Sequence, residues 1–168
     1  MTVTFQLLYA LVVLGHERRK VIHFDVTPNP TQAWLARQIT EAFPWDTAPR
    51  FLLRVRDASY GQTFQDRVQA MAIELVVTAP RSPWQNAYLE LISGSIRREC
   101  LDHVIVSDEH HLRRVLSAYF EYHYRSRTHL SLGKDCPEAR SVQPPSAGTV
   151  VAFPQVGGLH HRYERRAA

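Results

Sequence analysis

The chain has 168 residues, of which 45% are apolar, and a formal net charge of +4 at pH 7. This length allows one domain with a tail and excludes two large cores. Basic and acidic residues are mixed along the chain, so its charge permits a polyanionic partner and excludes a basic tail that binds nucleic acid by charge alone.

Arginine supplies eighteen of the twenty basic residues. Its planar guanidinium suits phosphate oxygens, but a bias in genomic base composition explains the same excess equally well. The two cysteines, Cys100 and Cys136, match no metal-binding or redox spacing, so we expect reduced thiols. The apolar run from Val3 to Leu14 lacks the flanks of a signal peptide and is too short to span a bilayer, so we expect no membrane partner and a cytoplasmic location.

Strands and helices are predicted to alternate along the first half of the chain. The run 3–14 is typical of a strand buried on both faces, and the alternating run 21–26 is its expected hairpin partner. Asn29 is the predicted N-cap of a helix that starts at Pro30 and stops at Pro44. Two more strands, 51–55 and 74–78, flank a helix that carries Phe64, Val68 and Met71. This alternation indicates an α/β fold.

A second helix start follows the strand 74–78. Ser82 is the predicted N-cap, with Pro83 at the first helical position and Gln85 closing a capping box. The helical period then places one apolar stripe at Tyr88, Leu91, Ile92, Ile96 and Cys100, and a polar face at Asn86, Glu90, Ser93 and Arg97. Glu90 is therefore predicted to lie off the core.

The last helix is predicted to start at the cap Ser107–Asp108. Its apolar stripe consists of Leu112, Val115, Leu116, Tyr119, Phe120 and His123. From residue 134 to residue 149 the composition shifts to Pro, Ser and Gly, which is typical of a linker or crossing loop. We therefore expect a domain over residues 1–142 and a C-terminal tail over residues 143–168, with a short hairpin around Gly157 and Gly158.

Two motifs resemble one known family. The stretch 78–90, continued by residues 96–100, and the Tyr, Arg, His and Pro series of residues 122–137 are similar to the core domain of retroviral-type integrases and bacterial insertion-sequence transposases. The resemblance covers roughly residues 1–142. It implies a ribonuclease H-like fold, a mixed sheet flanked by helices, in which two aspartates and one glutamate hold two Mg²⁺ or Mn²⁺ ions. Such ions activate the attacking oxygen and stabilise the leaving oxygen in phosphodiester chemistry.

The chain departs from this family pattern at its carboxylates. Glu90 matches the family's glutamate, but the position separated from it by 34 intervening residues holds Val55, and Asp57 comes two residues later. The family's first aspartate lies on a strand that precedes a hairpin like residues 3–26, and Met1 comes too late to include it. We therefore expect the sheet to lack its first, central strand, which leaves unpaired edges on the strands beside it.

The candidate site residues follow from this alignment. Glu90 and Asp57 are the candidate catalytic and metal-binding carboxylates, and the alternative for Asp57 is a turn residue that bonds nearby backbone. The candidate DNA-binding residues are Arg81, Asn86, Arg97 and Arg98. Asn86 also suits the strand-to-helix turn, and Arg98 also suits a solvated face. His123, Arg125, Arg127 and His129 are expected to order the end of the last helix, with contacts to the DNA backbone as the lesser alternative.

The resemblance implies a transposase or integrase catalytic-core-like protein for DNA strand transfer, impaired because one carboxylate cannot fix two divalent ions. Whether it is an enzyme stays open, and Mg²⁺ or Mn²⁺ is needed only if activity survives. The alternative is a non-catalytic DNA-binding or subunit-interaction remnant that acts on an intact transposase, and a third reading is a decayed product that scarcely folds. The expected partners are DNA, which implies association with the nucleoid, and a second copy or an intact transposase.

Overall fold

The computed structural model describes Thr2, residues 5–44 and residues 47–167. The strands are β1 (Tyr9–Leu14), β2 (Val21–Thr27), β3 (Phe51–Arg54), β4 (Glu74–Val77), β5 (Thr149–Gln155) and β6 (His160–Arg166). The α-helices are α1 (Gln32–Ala42), α2 (Gln62–Ala70), α3 (Ala87–Glu99) and α4 (Glu109–Arg125). The described residues therefore form a mixed α/β protein, as the alternation of patterns predicts.

The first sheet is the antiparallel hairpin of β1 and β2, in which Tyr9 lies opposite Thr27. The hairpin is confirmed, but the prediction of a strand over 3–14 buried on both faces is wrong. β1 begins at Tyr9, residues 3 and 4 lie outside the described residues, and only Val13 of the strand is buried. In the described part of the chain β1 pairs with β2 alone, so its other edge receives no cover from a neighbouring strand.

The second sheet is the parallel pair β3 and β4, joined by α2. A parallel pair needs a crossover connection, which α2 supplies with buried Phe64 and Val68 facing the sheet side of the core. Among the described residues the six strands form three separate two-stranded sheets. The arrangement of one mixed sheet stays a prediction, whereas the predicted strands 51–55 and 74–78 are present with small differences at their ends.

Two hydrophobic clusters form the core. The first cluster joins α3 and α4 to β2 through Val26, Ile92, Leu116 and Tyr119. The second joins α1 and α2 to β3 and β4. The alternating side chains of β1 contact both clusters, because Val12 and Leu14 pack on the first whereas Leu11 and Val13 belong to the second. The hairpin β1–β2 is therefore a layer between two groups of helices.

The start of α1 differs from its prediction by two residues. Its N-cap is Thr31 rather than Asn29, and the Thr31 hydroxyl accepts a hydrogen bond from the Trp34 backbone N–H at 3.2 Å. Asn29 lies between two prolines, which restrict the backbone on both sides, whereas Thr31 has the extended φ and ψ of a cap residue. In contrast, the predicted cap of α4 is confirmed, since the Asp108 carboxylate accepts from the His111 N–H at 2.7 Å.

The C-terminal hairpin of β5 and β6 packs against the first cluster. Its turn contains Gly157 and Gly158, which both have positive φ angles, and Val156 beside them is buried in that cluster. The hairpin expected at these glycines is present. The division of the chain at residue 142 stays a prediction.

Candidate functional site

Glu90 lies in the first turn of α3, on the solvent side. The helix follows β4 through a loop and a 3-10 turn, Pro83–Asn86, and the Glu90 side chain is exposed. The buried residues of α3 are Ile92, Ser95 and Ile96. The prediction that Glu90 lies off the core is therefore confirmed by its exposure.

The predicted capping box in front of α3 is wrong. The Ser82 hydroxyl donates to the Pro80 carbonyl at 3.2 Å and caps no helix N–H. The Gln85 side chain instead accepts from the Ala79 backbone N–H at 2.7 Å. Both side chains therefore close the loop on itself, and the α-helix begins only at Ala87, after the 3-10 turn.

Val55 lines a cavity that residues at the start of α3 also line. This cavity of about 390 Å³ between the two first sheets, the inter-sheet cavity, is lined by residues 11–16 of the hairpin and by residues 49–55 around β3. Asn86 and Leu89 line it from the other side. The position where the resemblance expects an aspartate thus shares this cavity with the start of α3, and it carries an apolar side chain.

Asp57 has the surroundings of a turn residue. Its carboxylate accepts a hydrogen bond from the Ser59 N–H at 2.8 Å, and its carbonyl accepts from the Tyr60 N–H at 3.2 Å. The hydrogen bonds from Ser59 hold the pKa of Asp57 below its ordinary value. The side chain is exposed and absent from the lining of the inter-sheet cavity. This geometry favours the turn alternative, while the metal role of Asp57 stays a prediction.

The carboxylates that the structure describes do not fit a two-metal centre. Among the described residues no three His, Cys, Asp or Glu side chains converge as metal ligands do. Mg²⁺ takes oxygen ligands in near-ideal octahedral geometry, so Glu90 with a displaced Asp57 gives too few fixed protein oxygens for two ions. We therefore derive no catalytic step through a metal for this chain.

Three of the four candidate DNA-binding residues are exposed. Arg81 lies in the loop before α3 with a positive φ of 55°, and Arg97 and Arg98 lie in the last turns of α3. Arg97 pairs with Asp102 at 3.7 Å in a solvent-exposed ion pair. It is seven residues from Glu90, which puts both on one helix face about 10 Å apart along the axis. These guanidinium groups are accessible to a phosphate backbone.

Asn86 differs from the other three because only 8% of its surface is exposed. It lies at the N-terminus of α3 and lines the inter-sheet cavity. A direct contact with a base edge or phosphate would require the surrounding loop to move. Burial therefore favours the alternative that Asn86 serves the strand-to-helix connection.

A half-buried polar cluster lies at the C-terminal end of α3, and the sequence predicted only some of its residues. The Arg127 guanidinium donates to both Glu99 oxygens at 2.8 and 2.6 Å, and the Tyr119 hydroxyl donates to Glu99 at 2.9 Å. His160 of β6 donates to the Glu99 carbonyl at 2.8 Å and stacks on Tyr122. We refer to Glu99, Tyr119, Arg127 and His160 as the Glu99 cluster. Its hydrogen bonds link α3, α4 and the C-terminal hairpin.

Burial and charge shift the pKa values around this cluster. Burial alone raises the pKa of Glu99, but hydrogen bonds from Arg127 and Tyr119 outweigh it and hold the pKa below its ordinary value. Burial, with His129 and Arg127 nearby, lowers the pKa of His123 to about 4. His123 and His129 are therefore neutral at pH 7, since the pKa of His129 is also lowered by burial.

The expected ordering role of residues 123–129 agrees with these contacts. Arg127 bonds Glu99, and Arg125 pairs with Glu121 and Glu138, each at 3.1 Å. The Tyr, Arg, His and Pro series of residues 122–137 indicated an ordered end of α4. No sequence pattern indicated that Glu99 and His160 would bond there. Cys100 and Cys136 are both buried, and burial raises the pKa of the Cys100 thiol to about 11.

No helix in the described part of the chain is both long and apolar enough to cross a membrane.

Comparison with known proteins tests the resemblance predicted from the two motifs. Residues 71–137 match the family model described as the integrase core domain. The chain is also 25% identical over 146 residues to the insertion element IS476 uncharacterized 39.2 kDa protein of Xanthomonas euvesicatoria.

These matches confirm the resemblance predicted from the two motifs, and the family model covers a narrower range than residues 1–142. The alignment with the Xanthomonas protein covers 85% of this chain and 42% of that relative, so the chain spans about two fifths of the relative's length. The family match includes Glu90 and the DNA-binding candidates, whereas Val55 and Asp57 lie before its first residue.

Proposed function

We propose, from the integrase core match of residues 71–137, that this chain is a transposase or integrase catalytic-core-like protein that binds DNA and is impaired in strand transfer. The observation that carries the proposal is the position of Val55. It lines the same cavity as Asn86 and Leu89 at the start of α3, on which Glu90 is presented to solvent, so a hydrocarbon side chain stands where the resemblance expects an aspartate.

The impairment follows from the number of oxygen ligands. Two-metal phosphodiester chemistry needs ions fixed about 4 Å apart by several carboxylates. Asp57 is oriented by Ser59 and belongs to the turn after β3, and no three His, Cys, Asp or Glu side chains of the described residues converge as metal ligands do. A ribonuclease H-like arrangement of the sheets is part of the proposal, supported by the order of β1–β2, β3, β4 and α3 along the chain.

DNA binding is supported by the exposed guanidinium groups around α3. Within the matched segment, Arg81 lies in the loop before α3, and Arg97 and Arg98 lie in the last turns of α3. The chain also carries a net charge of +4. Guanidinium groups form two parallel hydrogen bonds with phosphate oxygens. We expect binding that is weak in sequence preference and strongly dependent on salt.

A nicking assay tests the catalytic half of the proposal. Element-end DNA is incubated with the wild type and with Glu90→Gln, in Mg²⁺ and separately in Mn²⁺. We expect equal rates, because glutamine removes only a carboxylate that lacks partners. A metal-dependent rate that is at least about tenfold higher in the wild type would overturn the impairment, since tenfold corresponds to one specific interaction of about 1.4 kcal/mol.

A salt series tests the DNA-binding half. We expect Arg97→Gln and Arg98→Gln each to weaken binding to any duplex and to reduce the salt dependence by about one phosphate contact. Arg37→Gln is the matched control, because Arg37 is an exposed arginine of α1 that pairs with Glu41 at 3.4 Å. Equal binding by all three variants would remove α3 from the proposed interface.

A second candidate function is a non-catalytic remnant that joins an intact transposase. The described carboxylates, which do not fit a two-metal centre, favour it, because exposed arginines and helix surfaces do not need metal ions to bind a partner. Mixing the chain with a full-length, related transposase and measuring co-sedimentation tests this function. Separate sedimentation at all mixing ratios would reject it without affecting the DNA-binding result.

A further inference from the structure

A second cavity lies between the end of α4 and the C-terminal hairpin, and we call it the C-terminal cleft. Its volume is about 920 Å³. The cleft is lined by Arg125, residues 133–135 and 138–143, Val150 and residues 162–165. The segment between α4 and the hairpin is held on both sides, because the Glu138 N–H donates to the Tyr124 carbonyl at 3.0 Å and the Arg165 N–H donates to the Gln143 side chain.

Charged side chains form most of the lining of the C-terminal cleft. Eight of its fifteen lining residues are charged, and the five cations against three carboxylates give the lining a formal charge of +2. The cations are Arg125, Lys134, Arg140, Arg162 and Arg165, and the carboxylates are Asp135, Glu138 and Glu164. Pockets for small organic molecules have a similar volume, about 300–1,000 Å³, but a mostly apolar lining. The composition of the cleft therefore indicates an anionic ligand.

Two of the carboxylates are already paired inside the cleft. Glu138 pairs with Arg125 at 3.1 Å, and Glu164 pairs with Arg162 at 2.6 Å. The third carboxylate, of Asp135, accepts a hydrogen bond from the backbone N–H that follows it, at 2.8 Å. These contacts orient the carboxylates towards groups of the protein itself.

The excess positive charge of the cleft comes from Lys134, Arg140 and Arg165. Lys134 and Arg140 are exposed. Arg165 is half-buried, and its guanidinium donates to the Gly148 carbonyl at 3.0 Å, a neutral acceptor that does not cancel its charge. A guanidinium group forms two parallel hydrogen bonds with phosphate oxygens, and a lysine acts on phosphate as a point charge. The excess cations therefore suit a ligand that carries phosphate groups.

The Glu99 cluster fixes the C-terminal cleft next to the last turn of α3. The Glu99 carboxylate bonds Arg127, which is two residues after Arg125 of the cleft. The Glu99 carbonyl accepts from His160, and Arg162 of the cleft lies two residues further along the same face of β6. Two residues of extended chain span at most about 7 Å. The cleft therefore begins close to the helix end that carries two of the candidate DNA-binding arginines.

We propose that the C-terminal cleft binds the phosphate backbone of DNA, beside the part of the same duplex that the α3 arginines contact. The inference rests on the proposed DNA binding and adds a second contact surface to it. A duplex carries one negative charge per about 1.7 Å of its axis, so one molecule supplies phosphates to both surfaces. An acidic protein segment has the same sign of charge, but DNA is favoured because the cleft adjoins the segment that matches the integrase core domain. Backbone contacts of this kind position the duplex without reading its sequence.

A salt series on matched double variants tests the cleft. Lys134→Gln/Arg140→Gln removes two exposed cations of the lining, whereas the control Arg37→Gln/Arg67→Gln removes two exposed arginines of α1 and α2 outside it. Each phosphate contact contributes about 0.9 to the slope of log K against log salt concentration, so the cleft variant should have a slope smaller by about 1.8. Its loss of affinity between 50 and 200 mM salt should then be about 12-fold smaller than that of the wild type. The control should keep the wild-type slope.

The α3 variants Arg97→Gln and Arg98→Gln separate this inference from the proposed function. If they weaken binding while the cleft variant keeps the wild-type slope, DNA binding stands and the role of the cleft is rejected. A wild type that binds no duplex rejects both. Polyglutamate is the probe for an acidic protein ligand, and binding as tight as that of the duplex, lost in the cleft variant, would assign the cleft to such a partner instead. Circular dichroism checks that each variant is folded.

Discussion

Arg127→Met is expected to destabilise the protein by breaking the Glu99 cluster. The substitution keeps an unbranched side chain of similar length but removes the two N–H donors that hold the Glu99 carboxylate. The Arg127 and Glu99 side chains are 24% and 27% exposed, so the pair is neither a free surface pair nor a fully buried one. Exposed pairs contribute at most about 1 kcal/mol, and breaking a buried pair costs about 3–5 kcal/mol.

An intermediate loss of about 2 kcal/mol in the free energy of unfolding follows for Arg127→Met. For a chain of this size, 2 kcal/mol lowers the melting temperature by about 6 °C. Urea unfolding followed by circular dichroism at pH 7 measures it. Arg125→Met is the matched control, because Arg125 lies two residues away and its ion pairs are about half exposed. The control should lose less than about 1 kcal/mol.

The pH dependence provides a second measurement on the same pair. Because the pKa of Glu99 is lower in the folded chain than its ordinary value, the pair's contribution is present above the unfolded pKa of 4.5 and is lost as the pH falls through the lower folded value. The difference between wild type and Arg127→Met should therefore shrink below about pH 4.5. Equal unfolding free energies for Arg127→Met and Arg125→Met at pH 7 would refute this account of the cluster.

Three further outcomes are expected. The imidazole of His123 should titrate near pH 4 in an NMR titration of the folded chain, and a midpoint near 6.5 would contradict its burial. Because its folded pKa is lowered, its contribution to stability should be present above about pH 6.5 and should fall as the pH decreases towards 4. Gly148→Ala should lower the free energy of unfolding by more than about 2 kcal/mol in a thermal melt, because a Cβ at this φ of +114° would clash with the β6 backbone. The control Gly133→Ala, in open space at a φ of +65°, should lower it by about 1 kcal/mol. Similar losses for the two variants would refute the clash. Asp57→Ala should leave Mn²⁺ binding by electron paramagnetic resonance unchanged and destabilise the turn by about 1 kcal/mol through the lost Ser59 bond; a clear loss of Mn²⁺ binding would instead establish Asp57 as a ligand.

Helices with a strong apolar period were predictable from the sequence. The α4 residues Leu112, Leu116, Tyr119 and Phe120 all lie in the first cluster, and the Asp108 cap is where the pattern placed it. Periodicity works here because one face of the helix packs along most of its length. The same reasoning placed Ile92 and Ile96 correctly on the buried face of α3.

The ends of α3 were less predictable. Tyr88 and Leu91 were assigned to the apolar stripe, but both are exposed. Tyr88 lies at the beginning of the helix and contacts the turn of the first hairpin, with the Arg19 guanidinium 4.7 Å from its ring centre. Leu91 lies on the flank of the buried face. Periodicity gives the direction of a side chain but not how far the neighbouring elements extend to cover it.

The candidate site could be located from sequence but not completed. The motif around Glu90 placed it correctly on an exposed face, and counting residues led to Val55, which lines the same cavity as the start of α3. Nothing in the sequence indicated that Asn86 is buried, because an asparagine before a helix also suits an exposed turn. Partners distant in sequence, such as Glu99 and His160, depend on how α3 and the C-terminal hairpin meet.

The position of β1 between two cores has a consequence for local unfolding. Leu11 and Val13 contact the cluster of α1 and α2, whereas Val12 and Leu14 contact the cluster of α3 and α4. Each cluster can open without first disrupting the other's helices, but fraying of β1 weakens both at once. Amide hydrogen exchange should therefore show two groups of helical amides with separate opening free energies, and β1 amides that exchange no more slowly than the less stable group.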